Sequence, residues 1–399
     1  MPALRNAIKA LLANPTVLRA GPALDLFLCG YLRKFRLREV GGHVIVHSHL
    51  PPLESAAFGR FVTEHLTRRN DGPAHAQIAV TNACPQRCAF CYNRDRTGRP
   101  LATEEILRTI DALADAGVFW LGLTGGEPLL SRHLVEIVEH AAQRCSVKLF
   151  TTGCTLTPAR ARELKRAGLF SVSVSLDHWD EDTHDRGRGY PGAFRAALAA
   201  VATFREAELD TGVSAVLSKE MVARGETTRL LEFFEGLGVH EIWLSEAKPS
   251  AQPFWDEALL VTDDERRGLI ELQDRYNRAG GATLNYLGHF EAPEHFGCTA
   301  GRKMVYVDAF GEVSPCVFAP MTFGNIRDRP LGAILADMRS AFRLGSTCFI
   351  CGHFGMVRER SGGGLPLAPD RSAEMMRRVR FTPRSRFFEL HARRFGEPT

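Results

Sequence analysis

Long apolar runs are missing from these 399 residues. The candidate nearest the start, Ala23 to Tyr31, is interrupted by Asp25 and is too short to cross a bilayer, and no stretch elsewhere approaches that length. A secretory signal is missing too, so the ten cysteines are expected to stay reduced in the cytoplasm, free to bind metal instead of pairing as disulfides. There is no internal repeat, no long low-complexity tract and no segment that resembles a nucleic-acid-binding motif, which removes repeat scaffolds and nucleic-acid partners. Net charge is only +4, yet it is unevenly placed. Residues 1–41 hold seven Lys/Arg against two acids and residues 371–399 hold eight Arg against three Glu, which leaves the middle at about −6. Solvated helix faces are the simpler reading of both ends. A sharper one is peripheral contact of the N-terminus with an anionic membrane surface, because Leu4, Ile8, Leu11 and Leu12 recur at helical spacing among Arg5 and Lys9.

What is present is concentrated in one short run. Cys84, Cys88 and Cys91, in C-P-Q-R-C-A-F-C-Y, follow an apolar stretch, Gln77 to Thr81, that reads as a strand. Three thiolates on one loop can reach three corners of an iron-sulfur cube, and soft sulfur suits such clusters. A structural zinc site wants four protein ligands, and no fourth Cys or His lies within several residues. The fourth iron would therefore be open to a substrate or cosubstrate.

From Gln77 to about Tyr276 short β-rich runs alternate with amphipathic helical runs, the pattern of a parallel sheet built from repeated βα units. Six strands are predicted, at 77–81, 118–123, 146–151, 169–176, 212–217 and 240–244, with helices near 103–116, 132–144, 158–167, 192–206, 226–236 and 263–279. Thr103 and Thr262, each followed by acidic residues, are expected to cap the first and last of these helices. The fold class is α/β, a partial (β/α)6 TIM-type barrel whose missing units leave a side open. In such sheets functional residues gather at the carboxyl ends of strands, where the three-cysteine loop falls.

The spacing C-x3-C-x2-C followed by an aromatic residue, with L-T-G-G-E-P some thirty residues on, resembles the radical S-adenosylmethionine (SAM) superfamily. The resemblance implies that Cys84, Cys88 and Cys91 are catalytic and hold a 4Fe-4S cluster whose open iron chelates the amino and carboxylate groups of SAM. Reductive cleavage then gives methionine and a 5'-deoxyadenosyl radical, which abstracts a hydrogen atom from the substrate. Gly125, Gly126, Glu127 and Pro128 form the turn that meets the methionine ammonium. Thr152 and Ser175 with Asp177, at the ends of the third and fourth strands, are expected near ribose and carboxylate. Arg188, in H-D-R-G-R-G, is expected to reach the carboxylate, and Tyr92 to approach adenine or pack beside the cluster.

A second set, Cys298, Cys316, Cys348 and Cys351, follows as C-x17-C, a long gap and C-x2-C. A hairpin of 305–308 and 312–314 can bring its first two members together, and a helix near 330–340 returns the chain to the others. From spacing alone zinc and iron-sulfur fit this set equally. The stretch from Cys298 to Cys316, followed by F-G-N-I, resembles the SPASM/twitch extension of many radical SAM enzymes, which implies a second, auxiliary 4Fe-4S cluster relaying electrons. No cysteine follows Cys351, so one auxiliary cluster is the most the chain can hold.

The expected division is an N-terminal helical, basic segment (1–76), the radical SAM core (77–290), a SPASM/twitch-like auxiliary-cluster unit (291–360), and a linker with a basic tail (361–399). The expected reaction is a net oxidation or cross-link of a peptide or small molecule, with an electron donor such as flavodoxin or ferredoxin. Relatives that modify peptides frequently carry a winged-helix peptide-binding domain, which residues 1–76 fit poorly. Dehydrogenation or coupling of a lipid-like substrate at a membrane surface is the second reading, and an electron-transfer protein without SAM chemistry the third. Cys29, Cys145 and Cys154 are expected as buried small hydrophobes, with Cys154 a hydrogen-donor candidate if it faces the pocket. His43, His47 and His49 are expected on one solvent-facing strand. Glu246, Tyr306 and Asp308 are acid-base candidates by location alone.

Overall fold

Parallel strands buried on both faces read as near-continuous apolar runs, and such runs build the core of this chain. The computed structural model describes residues 20–250 and 254–396. A small hairpin, β1 (Arg38–Val40) and β2 (His43–Ile45), precedes the main sheet. That sheet contains β3 (His75–Thr81), β4 (Trp120–Gly125), β5 (Ser146–Thr151), β6 (Leu169–Ser175), β7 (Asp210–Leu217), β8 (Glu241–Glu246), β9 (Thr283–Tyr286), β10 (Met304–Val307) and β11 (Val313–Ser314). Their order is β11-β10-β3-β4-β5-β6-β7-β8-β9, nine strands in all. Every pairing from β10 through β3 to β9 is parallel, and only β11 runs antiparallel, against β10.

The six predicted strands are β3 to β8, each within about two residues of its predicted limits. The sheet is larger than a six-unit count, however. The four-residue β9 follows the helix Asp263–Ala279 and extends the parallel run beyond β8. At the other edge the expected hairpin forms as β10 and β11, and β10 joins the barrel sheet itself, Met304 beside His75 and Val307 beside Ile78. The predicted helices form in place, at Thr103–Asp115, Leu134–Ala142, Pro158–Arg166, Ala193–Glu206, Thr227–Gly236 and Asp263–Ala279. Thr262 caps the last of them, its hydroxyl accepting from Glu265 N–H while the Glu265 carboxylate accepts from Thr262 N–H. Thr103 is not a cap. It is the first helical residue, and the Glu105 carboxylate reaches back to the backbone N–H of Ala102 instead.

The amino-terminal ends of the strands are closed by residues that precede the sheet. Arg38 binds Asp210, the first residue of β7, and donates to Thr283, the first of β9, and to the Val46 carbonyl. Ser48 donates its N–H to Glu241 at 3.0 Å, accepts Trp120 Nε1–H at 2.7 Å on its carbonyl, and its hydroxyl meets Lys148. Lys148 and Glu241 pair at 3.5 Å with side chains 0% and 1% exposed. This corrects the expectation for the histidines. β2 stops at Ile45 with His43 exposed, while His47 is buried and the His49 ring lies against Trp243 and Trp120 at 3.9 and 4.7 Å. Burial pushes His47 down to about 3, so it stays neutral.

The described parts of the two charged ends meet. Phe387 and Phe388, on the helix Arg386–Arg394, share one apolar cluster with Leu24, Tyr31, Val44 and Phe58. The stretch 361–369 is not a free linker, because Leu367 is 1% exposed and its backbone bonds to Pro320 and Thr322. Cys145 is buried as expected, but Cys29 is exposed. The apolar N-terminal pattern at Leu4, Ile8, Leu11 and Leu12 lies outside the described residues. No helix among the described residues is long and apolar enough to cross a membrane.

Breaking a buried ion pair by removing one partner costs about 3–5 kcal/mol. Glu241→Gln should lower the unfolding free energy by about that much in urea titrations at pH 7. Burial pushes the Glu241 carboxyl up, but Lys148 and Arg38 outweigh it and hold the group at about 2, against an ordinary value of 4.5. Its contribution is therefore complete above pH 4.5 and lost as pH falls through about 2. The gap between wild type and variant should close over that window and no other.

Candidate active site

A loop without regular structure leaves β3 at Thr81 and carries Cys84, Cys88 and Cys91. It is held from three sides. The G-G-E turn after β4 donates Gly126 N–H to the Thr81 carbonyl and Glu127 N–H to the Ala83 carbonyl, both at 2.7 Å. Arg188 accepts Arg87 N–H on its carbonyl at 2.8 Å. The β10–β11 hairpin supplies the third support: Asp308 and Ser314 bind the Arg96 guanidinium at 3.0 and 3.2 Å, and the Tyr306 hydroxyl donates to Asn93. Tyr306 and Asp308 are thus committed to anchoring the loop.

The glycine pair is required by this packing. A Cβ on Gly125, whose φ is +132°, would lie 2.1 Å from the Thr81 carbonyl oxygen, and one on Gly126 would lie 2.2 Å from that of Ala83. Glycine lets the turn approach the cysteine loop. Glu127 is 0% exposed. Its carboxylate accepts from Thr151 Oγ1 and Thr152 N–H at 2.6 Å, from Leu129 N–H at 2.9 Å, and from the Thr152 hydroxyl, tying the turn to the end of β5. Burial pushes this carboxyl up despite those four donors.

One cavity of about 820 Å³ runs past these groups. Cys84, Cys88, Cys91, Tyr92, Gly125, Gly126, Thr152, Ser175 and Arg188 all border it, whereas Glu127, Pro128 and Asp177 stand behind that wall. Arg188 closes the helix Glu181–Arg188, which the Asp180 side chain caps and Gly189 ends in a left-handed conformation. Its guanidinium pairs with Asp177 at 2.6 Å and lies 3.9 Å from Cys88 Sγ. Asp177 therefore meets the cavity wall only through its contact with Arg188. The Tyr92 hydroxyl bonds Thr124 at 2.7 Å, with its ring edge-on to Tyr306 and Phe318. Cys154 is buried behind the wall beside Gln86 and does not border the cavity.

The second cysteine set borders the same cavity through Cys298, Cys316 and Cys348. Cys298 precedes β10 and Cys316 follows β11, so the hairpin brings them together. Cys348 immediately precedes the helix Phe349–Arg360 and Cys351 lies in its first turn. Phe349 N–H donates to Cys298 Sγ at 3.4 Å, joining the two halves of the set. Burial pushes the thiols of Cys84 and Cys298 up to about 11 and that of Cys316 to about 12, so they are neutral until a cation displaces their protons. Among the described residues no three His, Cys, Asp or Glu side chains could hold a single metal ion. Three thiols on one loop, and four on a hairpin and a helix, are donor sets that suit cubes with one sulfur per iron.

One buried charged group beside the second cysteine set escaped the sequence reading. Lys248, two residues past β8, is buried against Glu246, Glu291 and Cys351. Burial opposes its charge, but the Cys348 and Cys351 sulfurs with the two carboxylates outweigh this and hold it protonated. Glu246 pairs also with Arg266 and the Tyr286 hydroxyl. The signal was its place just beyond a strand end.

Residues 78–231 match the family model described as the radical SAM superfamily, and residues 298–352 match SPASM, an iron-sulfur cluster-binding domain. The chain is 27% identical to an AdoMet-dependent heme synthase of Methanosarcina barkeri over 303 residues, 68% of this chain and 86% of that one. It is 35% identical to a PqqA peptide cyclase of Bradyrhizobium diazoefficiens over 259 residues, 61% of this chain and 66% of that one. In fold it is similar to Streptococcus suis SuiB bound to the precursor peptide SuiA, with a TM-score of 0.56 and 16% identity over 69% of this chain and 68% of that one. The SPASM match decides between zinc and iron-sulfur for the second set.

Glu127→Ala would leave the buried N–H groups of Leu129 and Thr152 without an acceptor. At about 1–3 kcal/mol for each such group, the metal-free protein should lose about 2–6 kcal/mol in urea unfolding. Glu127→Gln, which keeps one carbonyl acceptor, should lose less.

Proposed function

Because the chain belongs to the radical SAM superfamily and carries a SPASM iron-sulfur domain, we propose that it is an oxidoreductase taking a hydrogen atom from an unactivated carbon of a substrate held between two 4Fe-4S clusters. Cys84, Cys88 and Cys91 would hold the catalytic cluster, and Cys298, Cys316, Cys348 and Cys351 the auxiliary one. The observation that carries this reading is the single cavity bordered by both cysteine sets. A substrate there can face both at once.

With cluster and SAM bound, the first site gains one-electron cleavage of a carbon-sulfur bond and a 5'-deoxyadenosyl radical. The chain's own residues hold and orient. The backbone of Gly125 and Gly126 is assigned to the methionine ammonium, with Glu127 and Pro128 setting the turn. Arg188, fixed by Asp177, is assigned to the carboxylate, Thr152 and Ser175 to ribose, and Tyr92 to the adenine side. Four cysteines would leave no iron of the second cube open, so that site suits electron relay better than substrate ligation. The donor is a reduced flavodoxin or ferredoxin, and the compartment is the cytoplasm, where thiols stay free.

For the substrate, the peptide cyclase and the peptide-bound SuiB favour a side chain of a ribosomally made peptide. A second reading is an apolar small molecule. It is supported by Leu28, Tyr31, Phe58, Phe296, Phe387 and Phe388 along the cavity, and by the heme synthase among the relatives.

Protein reconstituted without oxygen should bind about eight irons per chain and release 5'-deoxyadenosine from SAM with dithionite. Replacing Cys84, Cys88 and Cys91 together by Ala should leave about four irons and no 5'-deoxyadenosine. An eight-iron wild type that leaves SAM intact would sink the assignment.

A further inference from the structure

Beyond β8 the chain turns Lys248 inward, with its side chain 1% exposed. Its Nζ lies 2.8 Å from Glu291 Oε2, 3.2 Å from Glu246 Oε1 and 3.8 Å from Cys351 Sγ. Glu246 is also bound by Arg266 at 2.8 Å and by the Tyr286 hydroxyl. The buried and half-buried charges counted without the cysteines, two carboxylates, one ammonium and one guanidinium, cancel, and Arg266 pairs in addition with the exposed Asp263. A cube on four thiolates is anionic, and its reduction adds one more negative charge with no new cation beside it. A buried ammonium in hydrogen-bond contact with a ligand sulfur favours the more negative state, since net charge and hydrogen bonds to sulfur set the potential of such clusters.

Resting on the reading that the four cysteines hold an iron-sulfur cluster, we propose that Lys248 is a positioning residue that raises the reduction potential of the auxiliary cluster, with Glu291 as its counterweight. Lys248 touches a ligand of the second cube and borders the cavity the two sets share. It therefore biases the second cube toward accepting an electron. Glu291, which holds the ammonium at the shortest distance, pulls the other way because its own charge repels the reduced cube.

The test is a potentiometric titration of the reconstituted full chain, followed by electron paramagnetic resonance. The auxiliary signal is identified as the one that survives when Cys84, Cys88 and Cys91 are all Ala. Lys248→Met should shift the auxiliary reduction equilibrium at least tenfold toward the oxidised state, about 59 mV for a one-electron couple. Lys248→Arg should stay close to wild type, and Glu291→Gln should shift the equilibrium in the opposite sense. The first cluster should not move in any of them. A role confined to folding cannot reverse sign between two neighbouring substitutions. Auxiliary clusters that load normally but titrate together in wild type, Lys248→Met and Glu291→Gln overturn the proposal alone. If Lys248→Met fails to load, a Glu291→Gln potential equal to or below wild type overturns it. A wild type with no auxiliary signal overturns the cluster assignment, and this proposal with it.

Discussion

One β-ladder fixes the relation between the two cysteine sets. β3 delivers Cys84, Cys88 and Cys91 to the carboxyl end of the sheet, and β10 pairs with it residue for residue, Met304 with His75 through Val307 with Ile78. β10 is also the first strand of the hairpin that brings Cys298 and Cys316 together. Neighbouring strands lie about 4.8 Å apart, so the scaffold of the second set is bonded directly to the strand carrying the first. Arg96 and Asp308, 3% and 1% exposed, repeat the connection one layer higher, between the cysteine loop and the hairpin turn. The strand-to-strand ladder and the Arg96–Asp308 pair together fix how the two cysteine sets sit relative to each other. A hinge between two separately folded units would not fix it.

The same ladder explains the distribution of buried charge. At the amino ends of the strands, Arg38, Lys148, Asp210 and Glu241 are satisfied by one another and by the backbone of residues 46–48. They close the sheet and do not offer a site. At the carboxyl ends two buried cations stand beside sulfur: Arg188 against Cys88, and Lys248 against Cys351. Burying a cation is costly unless something compensates it. Each has one or two carboxylates for that purpose, Asp177 for Arg188, and Glu246 and Glu291 for Lys248. The two cysteine sets thus carry the same arrangement, a thiol, a buried cation and its carboxylate.

Much of this was legible because the governing signals are local. β3 to β8 are apolar runs bounded by helices with clear periodicity, and the cysteine spacing and G-G-E-P turn are contiguous in the chain. What escaped depends on distant partners. β9 is four residues long after the glycines at 280 and 281, and it becomes a strand only because β8 offers an edge. The pairing of β10 with β3 spans more than two hundred residues and leaves no local trace. His47 and His49 alternate as a solvent-facing strand would, but the strand ends at Ile45 and the barrel floor takes them in. Leu367 looked like part of a flexible stretch because glycine and proline surround it, yet the Pro320–Thr322 backbone pins it. The glycines of the G-G-E turn also let it close on the Thr81 and Ala83 carbonyls, a contact with a distant loop that no local pattern shows.

The termini bear on what the cavity can accept. The described parts of the two basic ends turn several aromatic residues inward. Tyr31 packs edge-on to Phe296 at 4.9 Å, and Phe387 lies 4.8 Å from the same ring. These side chains form the apolar end of a space whose other end carries the cysteines, Arg188 and Lys248. Apolar walls supply affinity without direction, whereas the few polar groups determine orientation. A substrate fitting this division presents an apolar body toward residues 28–31 and 387–388, and its reacting carbon toward the first cysteine set. Among the described residues, 20–66 form helices and a two-stranded hairpin, and Leu28, Tyr31 and Phe58 from this stretch line the space.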